Sequence, residues 1–279
     1  ILAQSPGAEQ SKELQAHNVE MLGECDSTYP LQKKYHSMEF LRDNPHLRSR
    51  SNIFGAIIRI RSSAVSGFQK FFQENEFFQI HTPIITSSDC EGGGEVFRLS
   101  TNKLQDAKDK PPEDCTASTR KQREDLFRAP VYLTVSGQLH AEMLACAMSR
   151  VFTFGPVFRA EASLTSRHLI EFWMLEAEVA CLFKLEELLH FAERCIRETT
   201  RYILDNCTQE IEFFNQRMNE GLFARLENTI NNPFSRLSYS EAIDVLSRAN
   251  RNFEYTPKYG CSLQSEHEKY LATDYCCGP

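Results

Sequence analysis

The stretch Phe158–Glu178, FRAEASLTSRHLIEFWMLEAE, contains two strand patterns joined by a polar loop. The first strand carries Arg159 and Glu161 two residues apart and therefore on one face. The loop delivers Arg167 and His168, and the second strand bears Phe172, Glu176 and Glu178 at steps of two and four. If the strands pair, one face gathers arginines, an aromatic ring and carboxylates, a mixture unsuited to a hydrophobic core. Arginine suits phosphate because its planar fork donates two parallel hydrogen bonds, and an aromatic face stacks on a base. That points to a nucleotide site. The pattern also fits a solvated two-stranded ribbon with weak surface ion pairs, and on pattern alone both readings stand.

The flanking sequence supplies a framework for this ribbon. Val151 to Glu161 reads as two strand pieces broken at Gly155 and Pro156, preceded by a helix over Gln138 to Ser149 and a strand over Val131 to Val135. Further upstream, Ile57, Ile60, Ala64, Val65, Phe68, Phe71 and Phe72 recur at steps of three and four, which predicts an amphipathic helix over Asn52 to Asn75. A strand from Phe77 to His81 follows, ended by Thr82 and Pro83, and Thr101 to Arg128 is a polar surface excursion. Downstream, Glu171 to Val179 alternates as a strand that turns Trp173 to the core. Lys184 to Asn206 is helical by its leucine and isoleucine spacing, and Ser238 with Glu241 forms a capping-box start for a helix through Ala249. Hairpin-length connections with helices packed on strands predict an α+β fold with a largely antiparallel sheet. At the other end, residues 1 to 13 read as a frayed end, Leu14 to Cys25 as a lone strand and residues 26 to 50 as a basic hinge.

Composition narrows the classes. The 279 residues are 41% hydrophobic, ample for a packed core, and no apolar stretch approaches the roughly 20 residues a membrane helix needs. A net charge of −7 does not suit a protein coated for nucleic acid, so any such contact must come from a local basic patch. Ten cysteines without a CxxC pair read as free thiols in a reducing compartment. His81, His140 and His190 lack metal-ligand spacing, and His267 between Glu266 and Glu268 reads as part of a solvated helix. The first forty residues hold Glu9, Glu13, Glu20, Glu24 and Asp26 but no arginine, unlike a presequence.

With these readings in place, FRxE, a loop, RH, EF and ExE in Phe158–Glu178 resemble motif 2 of the class II aminoacyl-tRNA synthetases, in the form shared by the aspartyl, asparaginyl and lysyl enzymes. FFQIHTPIIT after the long helix resembles motif 1. SSDCEGGGEVF (Ser87 to Phe97) and LTVSGQLHAEML (Leu133 to Leu144) resemble the substrate-covering loop and the amino-acid-binding segment, and GCSLQSEHEKYL (Gly260 to Leu271) follows the same family. The likeness runs from residue 14 to about 271 and leans to the asparaginyl branch of bacterial and mitochondrial type.

The resemblance implies a class II catalytic domain over 51–279, an antiparallel sheet flanked by helices. Residues 27–50 would be its hinge and residues 1–26 a remnant of an OB-fold anticodon-binding domain. It also implies ATP and Mg2+, asparagine and tRNA(Asn) as partners, a homodimer through motif 1 with Pro83 at the interface, and no membrane. Arg159 would hold the α-phosphate and the amino-acid carboxylate, Glu161 the adenine amino group, and Arg167 with His168 the outer phosphates. Phe172 would stack on adenine, Gln138 and Glu176 would bind the substrate ammonium, and Glu91 would act from the covering loop. No metal ligand is implied in this chain. Ala141 stands where the aspartyl relatives usually carry a lysine that pairs with the substrate side chain, which favours a neutral amide. Motif 3, a glycine-rich strand and helix with an arginine for the γ-phosphate, has no counterpart in these residues, so the expectation is a chain inactive alone. The alternatives are an aspartyl enzyme and a non-catalytic, synthetase-like regulator or scaffold. The bacterial-type pattern and the cysteine content imply the mitochondrial matrix, with the cytoplasm as alternative.

Overall fold

The computed structural model describes residues 1–7, 10–88, 90, 95–99, 129–162 and 168–278, in two compact units, 1–58 and 59–279.

In the first unit, β1 (Leu2–Gln4) and β2 (Lys12–Leu14) pair antiparallel with Leu2 opposite Leu14. The predicted frayed end is therefore a short hairpin, and the lone strand expected over Leu14 to Cys25 contributes only its first residue. Val19, Met21 and Leu22 are each at least 79% exposed, because a strand without a neighbour has neither ladder partners nor a surface to bury against. The basic hinge also contains structure. The helix α1 (Met38–Asp43) starts where the Ser37 hydroxyl accepts from the Phe40 N–H, it buries Leu41, and a 3-10 turn follows at Arg48–Arg50.

Helix α2 (Asn52–Glu74) forms where its three- and four-residue apolar periodicity predicts. In the second unit, β3 (Phe78–Gln79) pairs parallel with β6 (Arg150–Phe158), and β6 pairs antiparallel with β7 (Glu171–Val179) along nine residue pairs. A smaller ladder joins β4 (Ile85–Thr86) to β5 (Tyr132–Leu133).

The break expected at Gly155 and Pro156 does not occur. Ile80 N–H donates to the Phe152 carbonyl and Phe158 N–H donates to the Thr134 carbonyl, so the even-numbered residues of β6 turn their backbone groups away from β7. Pro156 is one of these, at a point where β3 has already ended, and its missing N–H costs no ladder bond.

The register sorts the sheet into two faces. Phe152, Leu175 and Val179 lie on the face packed by α2 and α4 (Leu185–Asn206), where Phe71, Phe72, Phe77 and Cys195 complete the core and Phe72 stacks on Phe152 at 4.6 Å. Burial pushes the Cys195 thiol up to about 11, so it is an inert core sulfur. Gly67 permits the close approach of the two helices, since a Cβ there would come within 3.2 Å of Thr199 and Tyr202. On the opposite face, α3 (Gln138–Met148) packs Ala141 and Ala145 against Ile80 and Val151.

Behind α4 follow helices α5 (Thr208–Arg217) and α6 (Leu222–Asn231), and the end of α6 with the chain after it is tied to α4 through Glu193, which is 8% exposed. Its carboxylate accepts from Phe234 N–H at 3.1 Å, Arg197 Nη1 at 3.2 Å and Arg236 Nη2 at 2.6 Å, and the Arg197 guanidinium also donates to the Ile230 carbonyl at 2.9 Å. The backbone N–H of Phe234, then the two guanidinium groups, hold this carboxyl below the usual range against the opposing effect of burial.

A final cluster joins α7 (Tyr239–Arg248), which begins with the predicted Ser238–Glu241 capping box, to α8 (Ser265–Tyr270) through Ala242, Leu246 and Leu271. His267, expected on a solvated helix, is 2% exposed. Its Nδ1 accepts from Gln264 N–H at 3.1 Å and its Nε2 donates to the Tyr255 carbonyl at 2.7 Å, so both ring nitrogens are satisfied inside. Trp173, expected in the core, is 48% exposed, because its cross-strand partner Pro156 lies at the unpaired edge of β6.

Candidate active site

Cross-strand partners share a face, and Thr153 opposite Glu176, Val151 opposite Glu178 and Val157 opposite Phe172 put Phe172, Glu176 and Glu178 together on the α3 side of the sheet. The ribbon read from the sequence is thus an antiparallel pair, with its polar face turned towards a second layer.

At one end of this face the chain leaves β6 and Arg159 N–H donates to the Ile170 carbonyl at 3.0 Å, closing the base of the loop. The Arg159 guanidinium lies over the Phe172 ring, 5.4 Å from its centroid. Its Nε is buried and has no hydrogen-bond partner among the described residues. One N–H of this half-buried guanidinium is therefore open to an acceptor, and a guanidinium is matched best by an anion. Beyond it, Glu161 and His168 approach each other, Oε2 to Nε2, at 3.8 Å. Arg167 and Glu91 lie outside the described residues.

At the other end sits a second cluster. Glu176 accepts from the Ser136 hydroxyl and, at 2.9 Å, from the Gly137 N–H, both at the start of α3. A Cβ on Gly137 would fall 2.7 Å from Thr82 Oγ1, 3.0 Å from Thr153 and 3.2 Å from Glu176 Oε2, so only glycine lets the backbone reach this carboxylate. Ser136 and Gly137 were not picked out by sequence reasoning. The available signal was a Ser-Gly pair just before a predicted helix, where backbone donors are unsatisfied.

Gln138 Nε2 donates to Glu142 Oε1 at 2.9 Å, and the buried Cys90 thiol donates to Gln138 Oε1 at 3.7 Å. Burial first, and then the neighbouring Glu142 and Glu176 charges, raise the Glu178 carboxyl above its usual value. A cavity of about 410 Å3 opens beside Glu176, lined also by Thr82, Thr134, Thr153 and Trp173. Ala141 is fully buried in the small-residue contact between α3 and the sheet. Pro83 is exposed after β3, between Phe78 at 55% exposure and Ile84 and Ile85 at 43% and 48%. Among the described residues, no group of three or more His, Cys, Asp or Glu side chains is arranged to hold a metal ion.

The family model for class II tRNA synthetases (D, K and N) matches residues 37–274. The asparagine–tRNA ligase of Treponema denticola is 47% identical over 282 residues, covering 100% of this chain and 59% of that protein. That of a Nostoc species is 50% identical over 273 residues, covering 98% and 58%. Among solved structures, asparaginyl-tRNA synthetase from Pyrococcus horikoshii complexed with asparaginyl-adenylate superposes with a TM-score of 0.75 at 26% identity, over 95% of this chain and 53% of that one. The chain thus spans just under three fifths of the curated relatives it matches, and by the match over 37–274 it belongs to the class II tRNA synthetases of the D, K and N group.

Proposed function

We propose that the protein carrying this chain is an asparagine–tRNA ligase, which activates asparagine with ATP to asparaginyl-adenylate and passes the asparaginyl group to tRNA(Asn). The observation that carries this reading is the buried, unpaired Arg159 Nε above Phe172, at one end of a sheet face whose other end presents Gln138 and Glu176. Activation is an attack of the substrate carboxylate on the α-phosphorus, with pyrophosphate leaving, so the protein supplies positioning and charge stabilisation rather than a nucleophile. Arg159 donates to the α-phosphate and the amino-acid carboxylate. Phe172 gives its ring to adenine, Glu161 meets the adenine amino group, and His168 with Arg167 holds the outer phosphates. Gln138 and Glu176 take the substrate ammonium, and Glu91 contributes from the segment Ser87–Phe97. Mg2+ would come as the counter-ion of the triphosphate, neutralising its charge, since no His, Cys, Asp or Glu group among the described residues is arranged to hold it.

Asparagine is favoured over aspartate by the electrostatics of the amino-acid end. Burial first, and then the Glu142 and Glu176 charges, already raise the Glu178 carboxyl, and a substrate carboxylate would add one more like charge where Ala141 offers no cation. A homodimer through motif 1 is supported by the outward-facing Phe78, Pro83, Ile84 and Ile85. Mitochondrial translation is the proposed setting, on the motif pattern and the cysteine content of the sequence. The test is amino-acid-dependent ATP–pyrophosphate exchange by the full-length protein. Exchange with asparagine and not with aspartate or lysine is expected, and equal exchange with aspartate would overturn the substrate assignment.

A further inference from the structure

We propose that Glu142 is a positioning residue for the amino-acid end of the site, its carboxylate fixing the Gln138 side-chain amide so that the carbonyl faces the substrate ammonium. The inference rests on the proposed site and goes one layer behind it. Gln138 opens α3, and Glu142 follows one turn later on the same side of the helix. A carboxylate only accepts hydrogen bonds, so the 2.9 Å contact to Glu142 Oε1 must be made by the Gln138 NH2 group and not by its oxygen. With that end committed, the carbonyl oxygen points the other way, where its neighbour is the Cys90 thiol at 3.7 Å. A thiol is a weak donor that gives way readily to an ammonium. Removing the Glu142 carboxylate takes away the acceptor that commits the NH2 end, and the carbonyl end is then less firmly presented to the substrate ammonium.

Two features separate this role from a structural one. α3 is held to the sheet by Ala141 and Ala145, whereas Glu142 is exposed and takes no part in that core. Its charge is nevertheless felt across the site, because it stands near enough to raise the Glu178 carboxyl together with Glu176.

The experiment measures pyrophosphate-exchange kinetics and melting temperature for full-length Glu142→Ala, Glu142→Gln and Glu176→Gln variants. Glu142→Ala is expected to raise the asparagine KM about 10-fold, the size of one lost hydrogen bond to a charged group. The ATP KM and melting temperature should hold. Glu142→Gln can still present a carbonyl oxygen to Gln138 and is expected to recover part of the loss. An unchanged asparagine KM in Glu142→Ala, or asparagine and ATP KM values that rise together as the melting temperature falls, would overturn the proposal. Glu176→Gln tells the two layers apart. If it raises the asparagine KM while Glu142→Ala does not, the positioning role alone fails. If it leaves the asparagine KM unchanged, the amino-acid site itself is misassigned and the positioning role fails with it.

Discussion

Glu193 is a buried charge and Arg159 a half-buried one, and their surroundings differ in kind. Glu193 receives a backbone N–H and two guanidinium groups, and it locks α4 to the chain around Ile230 and Phe234. Arg159 closes a loop through its backbone and rests on Phe172, but its Nε has no hydrogen-bond partner among the described residues. Glu178, on the same face, has like charges as its strongest electrostatic neighbours. A charge that is fully matched within the chain holds the fold together, and one left unmatched is kept for a ligand. A buried hydroxyl, Ser63 Oγ, also lacks a hydrogen-bond partner among the described residues, yet it is neutral, and the cost of that is far smaller than for a guanidinium.

Removing each kind of charge should have opposite consequences. Arg159→Ala is expected to lower asparagine-dependent pyrophosphate exchange by the full-length protein at least ~100-fold, the size of a lost transition-state donor. The melting temperature should hold, since the half-buried guanidinium gives up only its contact with the Phe172 ring. Equal losses of activity and stability would erase the contrast. Glu193→Ala should instead destabilise the second unit by about 2 kcal/mol, because it strands a backbone N–H while its two arginines, themselves partly exposed, recover some hydration. Urea denaturation measures it.

The two carboxylates also move stability in opposite directions with pH. Glu193 is lowered in the folded state, so its contribution is present above the ordinary carboxylate pKa and is lost as pH falls through its folded value. Glu178 is raised, so its contribution is present below the ordinary value and is lost as pH rises through its folded value. Urea midpoints of the wild type compared with Glu193→Gln and with Glu178→Gln, followed from pH 3 to 7, separate the two, and parallel profiles would contradict the assignment.

The sequence reveals these two regions unequally. Arg159, Phe172 and Glu176 were legible because a period of two places them on one face and because their chemistry is out of place in a core. The long helices α2 and α4 were legible from their apolar periodicity. Glu193 left no such trace, as its partners Phe234 and Arg236 lie some forty residues downstream and only the folded chain brings them together. His267 was misread for a related reason, since its partner carbonyl belongs to Tyr255, outside its own helix. Pro156 reads as a break in any local pattern and is harmless only because β3 stops short of it.

The most direct measurement is a crystal structure of the full-length protein with a non-hydrolysable asparaginyl-adenylate analogue. The account predicts the phosphate or its mimic within hydrogen-bonding distance of the Arg159 guanidinium, the adenine against Phe172, and the asparaginyl ammonium between Gln138 and Glu176. Analogue bound elsewhere, with Arg159 Nε still unpaired above Phe172, would contradict it.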